Sequence, residues 1–75
     1  MDWREYITVD PNVCHGQACI AGTRVMVTIT LGNLAAGLTA EEIAESYPTV
    51  SVDAVTAALH YAAELAKERA VPLGA

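Results

Sequence analysis

Cys14, His15 and Cys19 place three side chains capable of metal or thiol chemistry within six positions, in the run CHGQACIAGTRV from residue 14 to 25. A structural zinc site takes four ligands, usually as two spaced pairs. Here Cys14 and His15 are adjacent, which hinders joint ligation, and no fourth ligand lies close unless Asp10 or a second chain is recruited. A nucleophilic cysteine needs a neighbouring base and a third group to orient it. If the segment is extended, His15 points to the opposite face from Cys14, because successive side chains alternate. His60 is a lone histidine in an alanine-rich stretch. Among the carboxylates, Glu41 and Glu45 share a helix face while Glu42 diverges, a pattern that suits a solvated face and helix capping. The chain contains no Walker loop, GxGxxG or HExxH. No catalytic residue, cofactor or metal is therefore expected, and the chain is not expected to be an enzyme. Two cysteines without a secretory context are expected as reduced thiols.

Gly22, Thr23 and Arg24 form a different kind of signal. Gly22 tolerates positive φ, Thr23 can close a turn through its hydroxyl, and Arg24 offers five donors in a fixed fork. Two readings stay open: an arginine that ties this segment to the domain or to a second subunit, and one presented to a phosphate or an acidic partner. The first is favoured because a lone arginine makes a weak site.

These residues must be held by an N-terminal arm. Tyr6-Ile7-Thr8-Val9 alternates like a strand, Asp10-Pro11-Asn12 favours a turn, Gly16 permits a second reversal, and Ala18-Cys19-Ile20-Ala21 reads as a second strand. Residues 1–27 are thus expected as a β arm and residues 28–75 as a three-helix unit, together one domain. Val27, Leu31, Leu34 and Leu38 recur at helical spacing, predicting a first helix over about Ile29–Ala36 with Thr28 as N-cap and Gly37 just past its end. Thr39-Ala40-Glu41-Glu42 is a capping box with Leu38 and Ile43 placed as a hydrophobic staple, and Pro48 stops this second helix near Tyr47. Ser51 caps a third helix, expected to run to about Ala70 with Asp53 in its first turn.

The third helix carries two apolar stripes. One comprises Val52, Val55, Leu59, Ala62 and Ala66, the other Ala54, Ala58, Tyr61 and Leu65. Either they form one wide core face, or the second stripe meets another chain. Composition favours the latter. Of the 75 residues, 53% are hydrophobic and mean hydropathy is +0.33, whereas a chain this short hides only about 60% of its unfolded surface. The surplus predicts self-association or a protein partner. The longest apolar stretch, Val25 to Leu31, is far short of a membrane span, and MDWREY does not read as a signal peptide, so a cytoplasmic protein is expected.

Charge limits the nucleic-acid option. Residues 1–37 hold three acids against Arg4 and Arg24, net −1, and residues 38–75 hold six acids against Lys67 and Arg69, net −4. In helix-turn-helix folds the last helix reads the major groove through its first turns. Here those turns offer Ser51, Asp53, Thr56 and His60 without a lysine or arginine, and Glu41, Glu42 and Glu45 would repel phosphate. Arg4, Arg24, Thr56 and His60 are the candidate DNA contacts.

Two runs, ITVDPNVCHGQACIAGTRVMV and LGNLAAGLTAEEIAESYPTVSVDAVTAALHYAAE, combine DPxVxxG, GTR, LAxGLTxEEI, YP and AALxYA. Over about residues 6 to 66 the chain resembles the bacterial family known as domain of unknown function 433, grouped with VapB-like antitoxins. The resemblance implies a mainly α fold, with a short N-terminal β-hairpin arm before a three-helix, homeodomain-like helix-turn-helix unit. It also implies a dimer with paired arms, and a role opposite a PIN-type ribonuclease toxin with repression of its own operon. Gly16, Gly22, Thr23 and Arg24 then become arm positions for the dimer, and Pro48 and Tyr61 structural ones. Family members often have Lys-Pro where this chain has Gln17 and Ala18, and a basic residue near Ala21, which weakens the DNA-binding half of that role. With the sequence stopping at VPLGA, toxin contact is expected through the arm or a helical face. The competing expectation is a stand-alone DNA-binding regulator.

Overall fold

The computed structural model describes residues 1–68. The molecule is mainly helical, with a two-stranded antiparallel hairpin of β1 (Ile7–Thr8) and β2 (Cys19–Ile20), followed by α1 (Val27–Ala35), α2 (Ala40–Ser46) and α3 (Val52–Glu68). The predicted extent of α3 to Ala70 ends outside the described residues.

The arm begins with a 3-10 turn, Trp3–Glu5, which sequence patterning did not anticipate. The Asp2 carboxylate accepts a hydrogen bond from the Arg4 N–H at 3.1 Å and so caps it. β1 and β2 then pair with Ile7 opposite Ile20 and Thr8 opposite Cys19. Both isoleucines are buried and enter the same core as the helices, since directly opposed residues of an antiparallel pair lie on one face. The connection opens with the expected Asx turn, in which Asp10 Oδ1 accepts from Asn12 N–H at 2.8 Å. On its other side β2 bridges to Met26, and the Val27 N–H donates to the Ala18 carbonyl at 2.9 Å.

That last bond corrects the expected start of α1. The helix begins at Val27 with Met26 as N-cap and no side-chain cap, two residues before Ile29, and Thr28 lies exposed in its first turn. An arm carbonyl satisfies the Val27 N–H left without a helical partner, so no capping side chain is needed there. The C-terminus follows expectation. Gly37 has φ +100, its N–H donates to Leu34 O at 3.0 Å, and Leu38 N–H donates to Asn33 O at 3.1 Å. These are the paired bonds of a Schellman ending.

α2 carries the predicted capping box: Glu42 N–H donates to Thr39 Oγ1 at 3.1 Å, and Thr39 N–H to Glu42 Oε1 at 3.0 Å. Tyr47 ends the helix before Pro48. Ser51 Oγ accepts from Ala54 N–H at 3.1 Å and caps α3.

Ile7, Ile20, Val27, Ile43, Val50 and Val55 form the core with Ala54, Ala57 and Ala58. The small alanines let α3 approach its neighbours closely. This corrects the proposed partner-facing stripe. Ala54 and Ala58 are buried inside the protomer, Tyr61 is half-buried, and Leu65, 40% exposed, is the stripe's outward member. α3 is wrapped on more than one side, since the N-terminal turn packs on it as well as α1 and α2. The Trp3 and Tyr61 rings meet edge to face, with centroids 5.2 Å apart. The other stripe also divides: Val55 is buried, while Leu59 stands 48% exposed.

Candidate binding surface

The arm, α1 and the second half of α3 enclose an open groove of about 360 Å³. Val9 and residues 16–18 form the arm wall, Val27, Thr28 and Leu31 the α1 wall, and Tyr61, Ala62 and Leu65 the α3 wall. Among the described residues no carboxylate, imidazole or amine lines it. Its polar groups are those of Gln17, Thr28 and Tyr61. Such a lining can seat an apolar side chain or ring and hydrogen-bond to its edge. Val9, 60% exposed, and Leu65 stand on its walls.

The arm wall has an unusual local structure. Cys14, His15 and Gly16 have φ values of +52, +55 and +81, so two L-residues with side chains occupy the left-handed region at a cost of about 1–2 kcal/mol each. Within this turn Gly16 N–H donates to Val13 O and Gln17 N–H to Cys14 O, both at 3.1 Å. The reversal brings Cys14 and Cys19 to a Cα separation of 6.9 Å, and the two form a disulfide. An extended segment would have set them apart by about 3.3 Å per residue. The expectation of two reduced thiols is thus corrected: the reversal expected at Gly16 begins two residues earlier, with Cys14 and His15 left-handed as well, and brings the two cysteines together. Cys19 is fully buried on β2, Cys14 half-buried, and His15 exposed. Among the described residues no three His, Cys, Asp or Glu side chains converge.

The GTR element behaves as a turn. Gly22 has φ +77. Thr23 Oγ1 donates to Ile20 O at 2.8 Å and accepts from Val25 N–H at 3.0 Å. Arg24 is exposed, and its guanidinium has no hydrogen bond or ion pair among the described residues. Its carbonyl oxygen lies 3.5 Å from Cys14 Sγ. Arginine anchoring within the protomer is therefore absent among these residues, and Thr23 holds the turn instead. Of the other candidate DNA contacts, Arg4 lies 3.6 Å from Asp2 and 4.7 Å over the Trp3 ring. Thr56 Oγ1 donates to Val52 O at 3.3 Å, and His60 is exposed.

The structure unites Gly16, Tyr61 and Leu65 at one groove. Sequence reasoning did not place the other lining residues, Val9, Gln17, Ala18, Val27, Thr28, Leu31 and Ala62, at a shared surface. The available signal was the hydrophobic surplus, which shows that apolar surface is left over without showing where.

The family model described as "Protein of unknown function (DUF433)" matches residues 7–62. The chain belongs to this family. The match takes in the whole arm from β1 onward and reaches Ala62, so the groove walls lie within the DUF433 region except for Leu65. The crystal structure of a DUF433 member protein from Anabaena variabilis is similar, with TM-score 0.75 and 30% identity over 84% of this chain. The present chain spans 62% of that protein's length. No curated protein matches the DUF433 chain described here.

Proposed function

We propose that this protein is an antitoxin-like binding module that acts as a homodimer and neutralises a PIN-type ribonuclease by direct contact. The apolar groove between the arm and α3 is assigned as the partner surface. The observation that carries the reading is that groove itself, about 360 Å³ and without a charged lining group among the described residues, with Val9 and Leu65 exposed on its walls. Apolar patches rimmed by polar surface are the usual form of a protein-binding site. Family membership is compatible with this role but states no function.

A stand-alone DNA-binding role is favoured by the exposed Arg24 guanidinium, which has no partner among the described residues, and opposed by the acidic balance of the chain. Co-expression with the product of the neighbouring reading frame tests the two. A stable complex with relief of toxicity supports the antitoxin role. Absence of both, with a specific shift of promoter DNA at physiological salt, would favour the regulator.

A further inference from the structure

Cys14 and Cys19 form a cross-link at the wall of the groove, and their surroundings differ. Cys19 is wholly buried on β2, between β1 and the bridge to Met26, whereas Cys14 is half-buried on the turn outside it. A thiol from solution therefore reaches one sulfur of the pair and not the other. Between them run the left-handed residues Cys14, His15 and Gly16, then Gln17 and Ala18 on the groove wall. Inside the turn its backbone is held by the bonds from Gly16 to Val13 and from Gln17 to Cys14. The cross-link thus restrains a segment whose backbone conformation is costly for residues with side chains. Without the cross-link, Cys14 still has a neighbour, since its Sγ lies 3.5 Å from Arg24 O, within reach of a thiol S–H donor.

We propose that Cys14 and Cys19 are a reversible thiol–disulfide couple that sets the order of the groove's arm wall. In reduction, a thiolate of a small dithiol attacks Cys14 Sγ. The S–S bond breaks, and its electron pair leaves on Cys19 sulfur, which takes a proton. The second thiol of the reductant attacks the mixed disulfide at the reductant's own sulfur and releases Cys14. The reductant becomes a cyclic disulfide, and the protein gains two electrons and two protons. In oxidation, the Cys14 thiolate attacks a small-molecule disulfide such as oxidised glutathione, releasing one thiol. Cys19 thiolate then displaces the second from Cys14. The couple follows the thiol–disulfide poise of its surroundings and closes on oxidation. The consequence for partner binding rests on the groove being the partner site proposed above; the couple itself does not.

The test equilibrates the full chain in glutathione buffers of stepped redox ratio, then traps free thiols with iodoacetamide and counts them by mass. The expected result is a reversible two-electron transition from two free thiols to none. In parallel, the Gly16 and Gln17 amides should exchange hydrogen roughly tenfold faster in the reduced protein. Fluorescence of 8-anilinonaphthalene-1-sulfonate, an apolar-groove probe, should change at the same midpoint. The Cys14→Ser/Cys19→Ser protein should show no redox response, and circular dichroism of reduced wild type, which needs no substitution, establishes that the fold persists. Two free thiols at every ratio would overturn the couple. Cross-linking without any change in exchange or probe fluorescence would overturn its effect on the wall. Either result leaves the antitoxin reading standing, since that reading is judged by complex formation.

Discussion

Thr30 lies on α1 with none of its surface exposed, and its hydroxyl has no hydrogen-bond partner among the described residues. A buried hydroxyl left unpaired costs about 1–3 kcal/mol relative to one paired or in water. Thr30→Val keeps the branched shape and exchanges the hydroxyl for a methyl, and the helix propensities of the two residues are close. The substitution should therefore stabilise the protein by about 1–2 kcal/mol. For a domain of this size that corresponds to a rise in Tm of roughly 4–8 °C per kcal/mol. Thermal melts and urea titrations of both proteins, with the urea slope unchanged, measure it. Thr30→Ala provides the control, since it also removes the methyl and leaves a void, so it should be less stable than Thr30→Val. If Thr30→Val is less stable than wild type, the hydroxyl is paired in the folded protein and the reasoning fails.

Other substitutions test the local geometry. Gly37→Ala and Gly32→Ala should have opposite signs, because neither added Cβ meets an atom within 4 Å but only Gly37 has positive φ. The first should lose about 1–2 kcal/mol, and the second, inside α1, should gain about 0.5–1 kcal/mol. His15→Gly should stabilise the cross-linked protein by about 0.5–1 kcal/mol by relieving a left-handed backbone at an exposed position; chemical denaturation under oxidising conditions measures it. A double-mutant cycle of Trp3→Ala and Tyr61→Ala should give a coupling of about 0.5–1.5 kcal/mol for the edge-to-face pair, and a coupling of zero would show that the N-terminal turn does not dock on α3.

Local chemistry was the legible part of the fold. The capping box of Thr39 and Glu42, the Gly37 ending and the Ser51 cap each need only residues within one turn, and all appear in the structure. The hairpin was legible too, because Tyr6–Val9 alternates and Asp10-Pro11-Asn12, Gly16 and Gly22 mark the reversals around the second strand. Features that depend on another element were not. α1 starts early because the Ala18 carbonyl of the arm accepts the Val27 N–H, and no pattern inside the helix encodes that bond. The stripe of Ala54, Ala58, Tyr61 and Leu65 was misread because Trp3 supplies a cover that periodicity in α3 cannot announce. Cys14 and Cys19 were expected as reduced thiols from the absence of a secretory context, and that argument carries no information on the left-handed turn at Cys14 and His15, one that non-glycine residues seldom adopt, which brings them together. At the candidate site, Gly16 and Leu65 were named from sequence, but their meeting across the groove depends on how the arm lies along α3.

The central claim, that the groove seats a protein partner, is most directly tested by titrating the purified product of the neighbouring reading frame with this protein and following RNA cleavage. Wild type should inhibit at stoichiometric amounts. Leu65→Glu, changed at an exposed position, should keep its fold yet inhibit at least about tenfold more weakly, as expected when a buried leucine contact of about 1.5–3 kcal/mol is lost. Cleavage unaffected by excess wild-type protein, or full inhibition by Leu65→Glu, would contradict the account.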